Sequence, residues 1–278
     1  MADNDVSPLP DTEVHYLRSE QVGDEFKIVV GRCGPSDTAA RVVFLGDTWA
    51  SFGTAVEIIR LLRLWESVPP LLVAGVGYRA VDMEHIESLR TRDFTPTAVP
   101  TRPTSGGAGR FLGFLRDELK PWLKEHYDAD PDDSMFFGDS LGGLFATYVL
   151  LNEPGTFRRY GIGSPALDYD NHLMFMHEEE YARTHDDLPA NVFFSVGEYE
   201  NTAGDERYFA QLAADKRTDA DLEDWDYVAD TERMVDALRS RTYPSLDIEC
   251  EILPGEYHDT SPPLNLSRSL RYLFGAPR

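Results

Sequence analysis

The chain has 278 residues, which suits one large α/β domain or two small ones, and 42% of them are apolar, enough to bury a sizeable core. Lys and Arg total 26 against 49 Asp and Glu, so the formal net charge is −23. A field of that sign repels nucleic-acid phosphates and anionic lipids, and both are therefore excluded as expected partners.

The predicted elements begin after an acidic tail at residues 1–11. Two β-type runs at 13–19 and 25–32 flank a Val-Gly-Asp turn, a pattern typical of a β-hairpin. Short apolar runs then alternate with segments of helical periodicity. Strands are predicted at 40–47, 69–78, 134–138, 160–167, 191–200 and 246–258, and helices at 54–67, 106–127, 143–152, 231–241 and 263–275. Pro121 is expected to kink the second of these helices.

This alternation predicts an α/β fold with a mostly parallel central sheet, an N-terminal antiparallel hairpin and helices on both faces. No repeat, low-complexity tract or Pro/Gly-rich linker divides the chain, so one domain is expected over residues 12–278. The N-terminus has no basic segment followed by an apolar one, and no apolar run approaches the roughly 20 residues that span a bilayer. The sequence therefore predicts a cytoplasmic protein without a membrane partner.

Residues 138–142 read Gly-Asp-Ser-Leu-Gly, which fits G-x-S-x-G between a β-type run and a helical one. In such a nucleophile elbow the serine lies on a sharp, strained turn. The residues two before and two after it pack so closely that only very small side chains fit. Ser140 is therefore the predicted nucleophile, and the helix that follows is expected to favour negative charge beside it.

A serine at an elbow needs an orienting acid and a histidine base, which follow it along the chain in that order. Of the seven histidines, three precede Ser140 and three lie between the sixth and seventh predicted strands. Only His258 follows the last strand, so it is the predicted base. The acid is expected in the loop after the preceding strand. Glu200 is the preferred candidate, Glu198 is its main rival, and Asp205 is a third.

Two backbone N–H groups are expected to hold the oxyanion. The first is that of Leu141, directly after the serine. The second should come from the loop after the strand at 40–47, whose small and polar residues let backbone approach a substrate, and Thr48 is the residue chosen. Cys33 and Cys250 lie far apart and match no metal or redox spacing, so neither a metal nor a cofactor is expected.

Several stretches together resemble a known family: "FLGDTWASFGTA" (44–55), "GVGY" (75–78), "RTRDFTPT" (90–97), "GGAGRFLGFLRDELKPWL" (106–123), the elbow segment, "GIGSPALDYDN" (161–171), "FFSVGEYE" and "LPGEYH". Over most of its length the chain is similar to the putative-esterase branch of the α/β-hydrolases, which includes the enterochelin and bacillibactin (siderophore trilactone) esterases. The resemblance implies an α/β-hydrolase fold, with Ser140 as nucleophile and His258 as base. Some members of that family work as Ser-His dyads, so a site without Glu200 stays open.

The chain departs from this family in two places near the expected pocket. Position 139 is often His in relatives, and here it is Asp. The loop after the sixth strand is often rich in aromatic residues, and here it reads Asp-Tyr-Asp at 168–170. Tyr169 is the substrate contact expected from this loop. A less aromatic and more acidic pocket weakens the case for a catecholate siderophore as the substrate.

An anionic ferric siderophore would need a local basic patch on so acidic a protein. Arg90, together with Arg92, is the candidate for that patch, and Arg90 is therefore predicted to bind substrate. The alternative is a salt bridge to Asp93 that fixes the loop.

The sequence thus predicts a serine carboxylic-ester hydrolase that acts through an acyl-enzyme on a small ester or a siderophore-like (tri)lactone. An acyltransferase on the same fold is the enzymatic alternative, because the acyl group could pass to an alcohol rather than to water. A non-catalytic binding protein on a hydrolase scaffold is the alternative from another class. The expected partner is a small-molecule ester.

Overall fold

The fold is built around one mixed β-sheet. The computed structural model describes residues 9–35, 39–79, 82–204 and 225–275. In these ranges the sheet has eight strands. They are β1 (Thr12–Arg18), β2 (Glu25–Cys33), β3 (Ala40–Leu45), β4 (Leu71–Tyr78), β5 (Ala129–Asp139), β6 (Arg159–Gly163), β7 (Ala190–Gly197) and β8 (Leu246–Leu253).

Neighbouring strands follow the order β1-β2-β4-β3-β5-β6-β7-β8. The pairs β1–β2 and β2–β4 are antiparallel, and every other pair is parallel. β4 lies inside the sheet with all but its last residue buried, which explains its continuous apolar run, whereas β1 lies at the edge and has no buried residue. The predicted mostly parallel sheet with an N-terminal hairpin is confirmed.

Helices cover both faces of the sheet, also as predicted. α1 and α8 pack on one face, around Ile59 and Leu270, and the helices α2 to α7 pack on the other, around Phe145 and Val235. Within the described ranges, no helix combines the length and apolar character needed to cross a lipid bilayer. The helices are α1 (Thr48–Leu64), α2 (Met83–Phe94), α3 (Ala108–Gly113), α4 (Lys120–His126), α5 (Leu141–Asn152), α6 (Tyr169–Thr184), α7 (Tyr227–Ser240) and α8 (Pro262–Phe274).

Some local features differ from the prediction. The prediction that a loop runs from β3 to residue 54 was wrong, because α1 begins at Thr48. α2 and α6 were not predicted, since both are polar segments whose hydrophobic periodicity is weak. Pro121 lies near the start of α4, and a π-helical stretch, Phe114–Leu119, joins α3 to α4 directly ahead of it. A wider turn there is consistent with a proline that has no N–H to donate and whose ring crowds the preceding turn.

The fold brings the predicted site residues to one edge of the sheet. Because β3, β5, β6, β7 and β8 are parallel neighbours, their carboxyl ends meet at that edge. Thr48 follows β3, Ser140 follows β5, Glu200 follows β7 and His258 follows β8. The assignment of a single domain to residues 12–278 stays a prediction.

Candidate active site

Ser140 lies on the sharp turn between β5 and α5. Its φ of +57° and ψ of −118° lie outside the regions that residues with a side chain ordinarily adopt. Such strain costs on the order of 1–3 kcal/mol and persists only where the surroundings hold it. Here the backbone N–H of Ser140 donates to Gly163 O at 3.1 Å, and its carbonyl accepts from the N–H of Leu144 at 3.0 Å.

Gly138 and Gly143, which lie on either side of Ser140, are required by contacts with backbone atoms. A Cβ atom at Gly142 would meet only side chains, with Asp47 Oδ2 nearest at 3.2 Å, so the backbone does not require the glycine predicted there. A Cβ atom at Gly138 would overlap the carbonyl oxygen of Gly142. A Cβ atom at Gly143 would lie 2.6 Å from the carbonyl oxygen of Gly163, at the end of the neighbouring strand β6. The elbow can therefore close only if both positions lack a side chain.

We expect Gly138→Ala to lower the free energy of unfolding by about 2–4 kcal/mol, because the added methyl group overlaps backbone that α5 holds in place. Urea-induced unfolding measures this change. Gly155→Ala is the matched control, since a Cβ atom there meets nothing within 4 Å, and its stability should stay within about 1 kcal/mol of the wild type. Equal stabilities of the two variants would contradict the close contact at the elbow.

His258 lies between Ser140 and Glu200. Its Nε2 atom is 3.2 Å from Ser140 Oγ, and its Nδ1 atom is 2.7 Å from Glu200 Oε2. Both distances are those of hydrogen bonds, so Nε2 can accept the serine proton while Nδ1–H donates to the carboxylate. The side chain of His258 is 40% exposed, and that of Glu200 is fully buried. The structure thus brings the three predicted side chains into a Ser-His-acid arrangement.

Glu200 is held as an ionised carboxylate. Its Oε1 atom accepts from the backbone N–H of Gly197 and from the hydroxyl of Ser164, both at 2.7 Å. Burial raises the pKa of Glu200, but the hydrogen bonds from His258, Ser164 and Gly197 outweigh that effect, and the pKa lies below its ordinary value. The carboxylate is therefore charged at neutral pH and can stabilise a positive imidazole.

The rival acids are placed differently. Glu198 Oε2 accepts a hydrogen bond of 2.8 Å from the backbone N–H of Gly255, at an exposed turn after β8. Asp205 lies outside the described residues. Of the two candidates that the structure describes, Glu200 is the one bonded to His258.

The two predicted oxyanion donors both lie at helix N-termini. Leu141 is the first residue of α5, so the helix itself offers its N–H no acceptor. Thr48 is likewise the first residue of α1, but its side chain points towards Gly75 of β4, and its Oγ1 atom has no partner in the described part of the chain. Trp49, rather than Thr48, lines the cavity beside Ser140. The role of Thr48 stays a prediction.

Arg90 is buried in ion pairs. Its Nε and Nη2 atoms donate to the two carboxylate oxygens of Asp47, at 2.6 and 3.1 Å, and its Nη1 atom donates to Glu87 at 2.7 Å. Burial raises the pKa of Asp47, and the charge of Arg90 opposes that rise. The salt bridge to Asp93 exists, but Arg92 forms it, at 2.8 Å. Substrate binding by Arg90 stays a prediction.

Two cavities flank Ser140. The first has a volume of about 450 Å³ and is lined by Trp49, Phe137, Pro262 and Leu266 on its apolar side. The second has a volume of about 510 Å³ and is more polar, with walls that include Arg102, Asp168, Tyr169, Asp170 and Tyr227. Ser140, Glu87 and Arg90 line both cavities. A substrate bound at Ser140 can therefore extend to either side of the nucleophile.

Tyr169 lies in the wall of the second cavity, where the sequence predicted a substrate contact. Its ring is buried, and its hydroxyl donates to the carbonyl of Thr97 at 2.7 Å. That bond ties the start of α6 to the segment after α2 and shapes this wall. Contact between Tyr169 and a substrate stays a prediction.

Sequence reasoning missed Ser164, which donates to Glu200. Ser164 directly follows β6 and has a φ of +38°. The predicted strand at 160–167 ran past Ser164, whereas β6 ends at Gly163, between the strands that deliver Ser140 and Glu200. Pro165 carried the usable signal, because a proline is unfavourable inside a central strand. A polar residue directly after β6 reaches the same edge of the sheet.

Comparisons with known proteins identify relatives of this chain and agree with its fold. The family model Esterase, described as "Putative esterase", matches residues 49–223. The ferri-bacillibactin esterase BesA of Bacillus subtilis is 32% identical over 209 residues, which cover 69% of this chain and 72% of that protein. The siderophore triacetylfusarinine C esterase of Aspergillus fumigatus is 27% identical over 290 residues, covering 96% and 94%.

A solved structure supports the same assignment of the fold. The BES protein from Bacillus cereus matches with a TM-score of 0.82 and 24% identity over 99% of both chains. The match to the family model covers more than half of the chain, and the similarity to the Bacillus subtilis esterase covers more than two thirds. The chain belongs to this esterase family and is a carboxylic-ester hydrolase of the α/β-hydrolase fold.

Proposed function

We propose that this protein cleaves a small ester or a siderophore-like lactone through an acyl-enzyme on Ser140. The observation that carries the proposal is the hydrogen-bonded path from Ser140 through His258 to the buried carboxylate of Glu200. The names of the two related esterases, which both specify siderophore esters, support the substrate class.

In the proposed reaction, His258 Nε2 accepts the Ser140 proton while Ser140 Oγ bonds to the ester carbonyl carbon. The imidazolium then gives this proton to the departing alcohol, and the acyl group remains on Ser140. Water attacks the acyl-enzyme with His258 again as the base, and the free acid leaves. Glu200 orients the imidazole throughout and stabilises its positive charge.

The proposed oxyanion site lies between two helix N-termini. The N–H of Leu141 comes from the first turn of α5, and the N–H of Thr48 is the predicted second donor from the first turn of α1. Unpaired N–H groups at a helix start carry partial positive charge, which favours the negative oxygen of a tetrahedral intermediate. Donors fixed by helices stabilise that charge without having to reorganise.

Charge around Ser140 favours a neutral substrate. Arg90, which borders both cavities, is already paired with two carboxylates. Arg102 is the other arginine in the described cavity walls, and it lies near Asp168 and Asp170. An anionic ferric catecholate would be repelled here, so we propose a neutral ester or an iron-free siderophore as the better substrate. The cytoplasmic location and the lack of nucleic-acid and membrane partners stay predictions.

A substrate screen tests this function. The wild type and Ser140→Ala are assayed on p-nitrophenyl esters of increasing acyl length and on a trilactone siderophore with and without iron. We expect the wild type to release the free acid, to turn over the iron-free lactone faster than the ferric one, and to lose activity in Ser140→Ala. Transfer of the acyl group to an added alcohol instead of water would indicate an acyltransferase. A protein that binds these esters without cleaving any of them would contradict the proposal.

A further inference from the structure

A chain of polar side chains joins Asp139, in the wall of the first cavity, to Glu200 through two buried residues that the mechanism above does not use. Asn265, in the first turn of α8, donates from Nδ2 to Asp139 Oδ1 at 2.7 Å and to Ser164 Oγ at 3.0 Å. The Ser164 hydroxyl donates in turn to Glu200 Oε1 at 2.7 Å. Asn265, Ser164 and Glu200 are fully buried. A continuous path of hydrogen bonds thus joins Asp139, the neighbour of the nucleophile, to the acid that holds His258.

The nitrogen of the Asn265 amide has hydrogen-bond partners, whereas its oxygen has none in the described residues. Its nitrogen has acceptors in Asp139, in Ser164 and, at 3.4 Å, in Ser261. Its Oδ1 atom has no donor in the described part of the chain, although the residue is fully buried. Rotating the amide by 180° would place its oxygen towards Asp139 and the hydroxyls of Ser164 and Ser261. The two hydroxyls can donate to that oxygen, and Asp139 can donate to it when its carboxyl group is protonated.

Ionisation of Asp139 decides which orientation is favoured. An ionised carboxylate can only accept hydrogen bonds, so it pairs with the amide N–H groups. A protonated carboxyl group can donate a hydrogen bond, so it can pair with the amide oxygen. Burial raises the pKa of Asp139, the charge of His258 and the hydrogen bond from Asn265 oppose that rise, and the net result is a pKa of about 7. Both forms are therefore populated near neutral pH.

The charged groups that face Asp139 come from three neighbouring loops. His258, from the loop after β8, favours the ionised form. Glu200, from the loop after β7, and Asp47, from the turn between β3 and α1, oppose it. α8 faces it with the neutral amide of Asn265. A positive charge that forms on His258 during the reaction therefore draws Asp139 towards ionisation.

We propose that Asp139, Asn265 and Ser164 form a positioning relay that couples the protonation of Asp139 to Glu200 and His258. When Asp139 is ionised, the amide nitrogen faces Ser164, the Ser164 hydroxyl donates to Glu200, and a second negative charge supports the imidazolium. When Asp139 is protonated, the turned amide oxygen competes with Glu200 for that hydroxyl, and the second charge is lost. The relay acts on the reaction through the triad.

The inference rests on the proposed role of Ser140, and the test is the pH profile of kcat/KM for a p-nitrophenyl ester. Asp139→Asn keeps the shape of the side chain but cannot ionise. We expect its alkaline plateau to fall about tenfold. We expect the midpoint of its acid limb to move to lower pH by at least about half a unit, because the charge that favours imidazolium is gone. Asp139→Ser, also neutral, replaces it if the Asn variant does not fold.

Two further variants separate the relay from a general effect of charge or packing. Asp170→Asn removes a charge from the wall of the second cavity, which Ser140 also lines, and should move the acid limb less. In a Ser164→Ala background the plateau loss caused by Asp139→Asn should shrink at least about threefold, because the link to Glu200 is cut.

An acid limb that stays in place in both neutral variants would overturn the relay, even if the plateau falls, because a purely structural role moves only the plateau. An equal shift in Asp170→Asn, or strictly additive losses with Ser164→Ala, would overturn it as well. Failure of the proposed function looks different: the wild type itself would then hydrolyse no ester at any pH.

Discussion

Ser140→Ala is expected to lower kcat/KM for ester hydrolysis by about 10⁴-fold or more. The change removes the oxygen that lies 3.2 Å from His258 Nε2 and leaves the cavities and helix N-termini in place. The remaining groups can polarise the carbonyl, but no acyl-enzyme can form. His258→Ala should cause a loss of similar size, because the serine proton then has no acceptor. Steady-state kinetics on one p-nitrophenyl ester measures both variants.

The double variant Ser140→Ala/His258→Ala should be hardly less active than either single variant, since the two side chains act as one unit. Ser240→Ala, a serine at the end of α7 remote from the cavities, is the control for the substitution itself and should keep full activity. If Ser140→Ala kept even a tenth of the wild-type rate on a good ester, the mechanism would be wrong.

Glu200→Gln is expected to lower kcat by about 10²–10⁴-fold, with a smaller effect on KM. The glutamine keeps the shape of the side chain but lacks the negative charge that stabilises the imidazolium. Its amide nitrogen also offers a donor where His258 Nδ1–H needs an acceptor, which favours the wrong tautomer. Glu200 is fully buried and bonded at 2.7 Å to His258, so the side chain that the substitution changes is the one that contacts the imidazole.

Glu198→Gln is the matched control, because it makes the same change two residues away. Its carboxylate is bonded to the exposed turn at Gly255, so the loss in kcat should stay below about tenfold. A large loss of kcat in Glu198→Gln, with kcat unchanged in Glu200→Gln, would make Glu198 the acid and keep the triad. If kcat were unchanged in both variants, the site would be a dyad of Ser140 and His258.

The elements that carry the chemistry could be predicted because strong local rules govern them. Ser140 is specified by glycines that backbone contacts require, and the strand before it and the helix after it are both apolar. His258 follows from chain order, since loops after the last strand of a parallel sheet reach the same edge. The same rule points to the loop of Glu200, and the choice over Glu198 needed the side-chain geometry that the structure supplies.

Other parts of the site could not be predicted because they depend on tertiary contacts. Thr48 and its neighbours read as a loop of small and polar residues, yet they form the first turn of α1, where packing on β4 overrides a weak local preference. The partners of Arg90 were also missed. Asp47 lies 43 positions before it in the chain, and no local pattern connects the two.

The proposed relay also depends on contacts between residues far apart in the chain, which no local sequence pattern predicts. Asn265 lies 126 positions after Asp139 and 101 after Ser164, but the three side chains are joined by hydrogen bonds in the buried layer between α8 and the strand ends. A neutral asparagine in the first turn of a predicted helix resembles an ordinary surface residue in the sequence. Its burial becomes evident once α8 is placed against β6 and β7.

Covalent labelling tests the central claim, that Ser140 is the nucleophile, most directly. The wild-type protein is incubated with a fluorophosphonate, digested, and analysed by mass spectrometry to find the modified residue. We predict one equivalent of phosphonyl adduct on the peptide that contains Ser140, none in Ser140→Ala, and much slower labelling in His258→Ala. An active preparation in which Ser140 stays unmodified, or in which the adduct lies on another residue, would contradict the account.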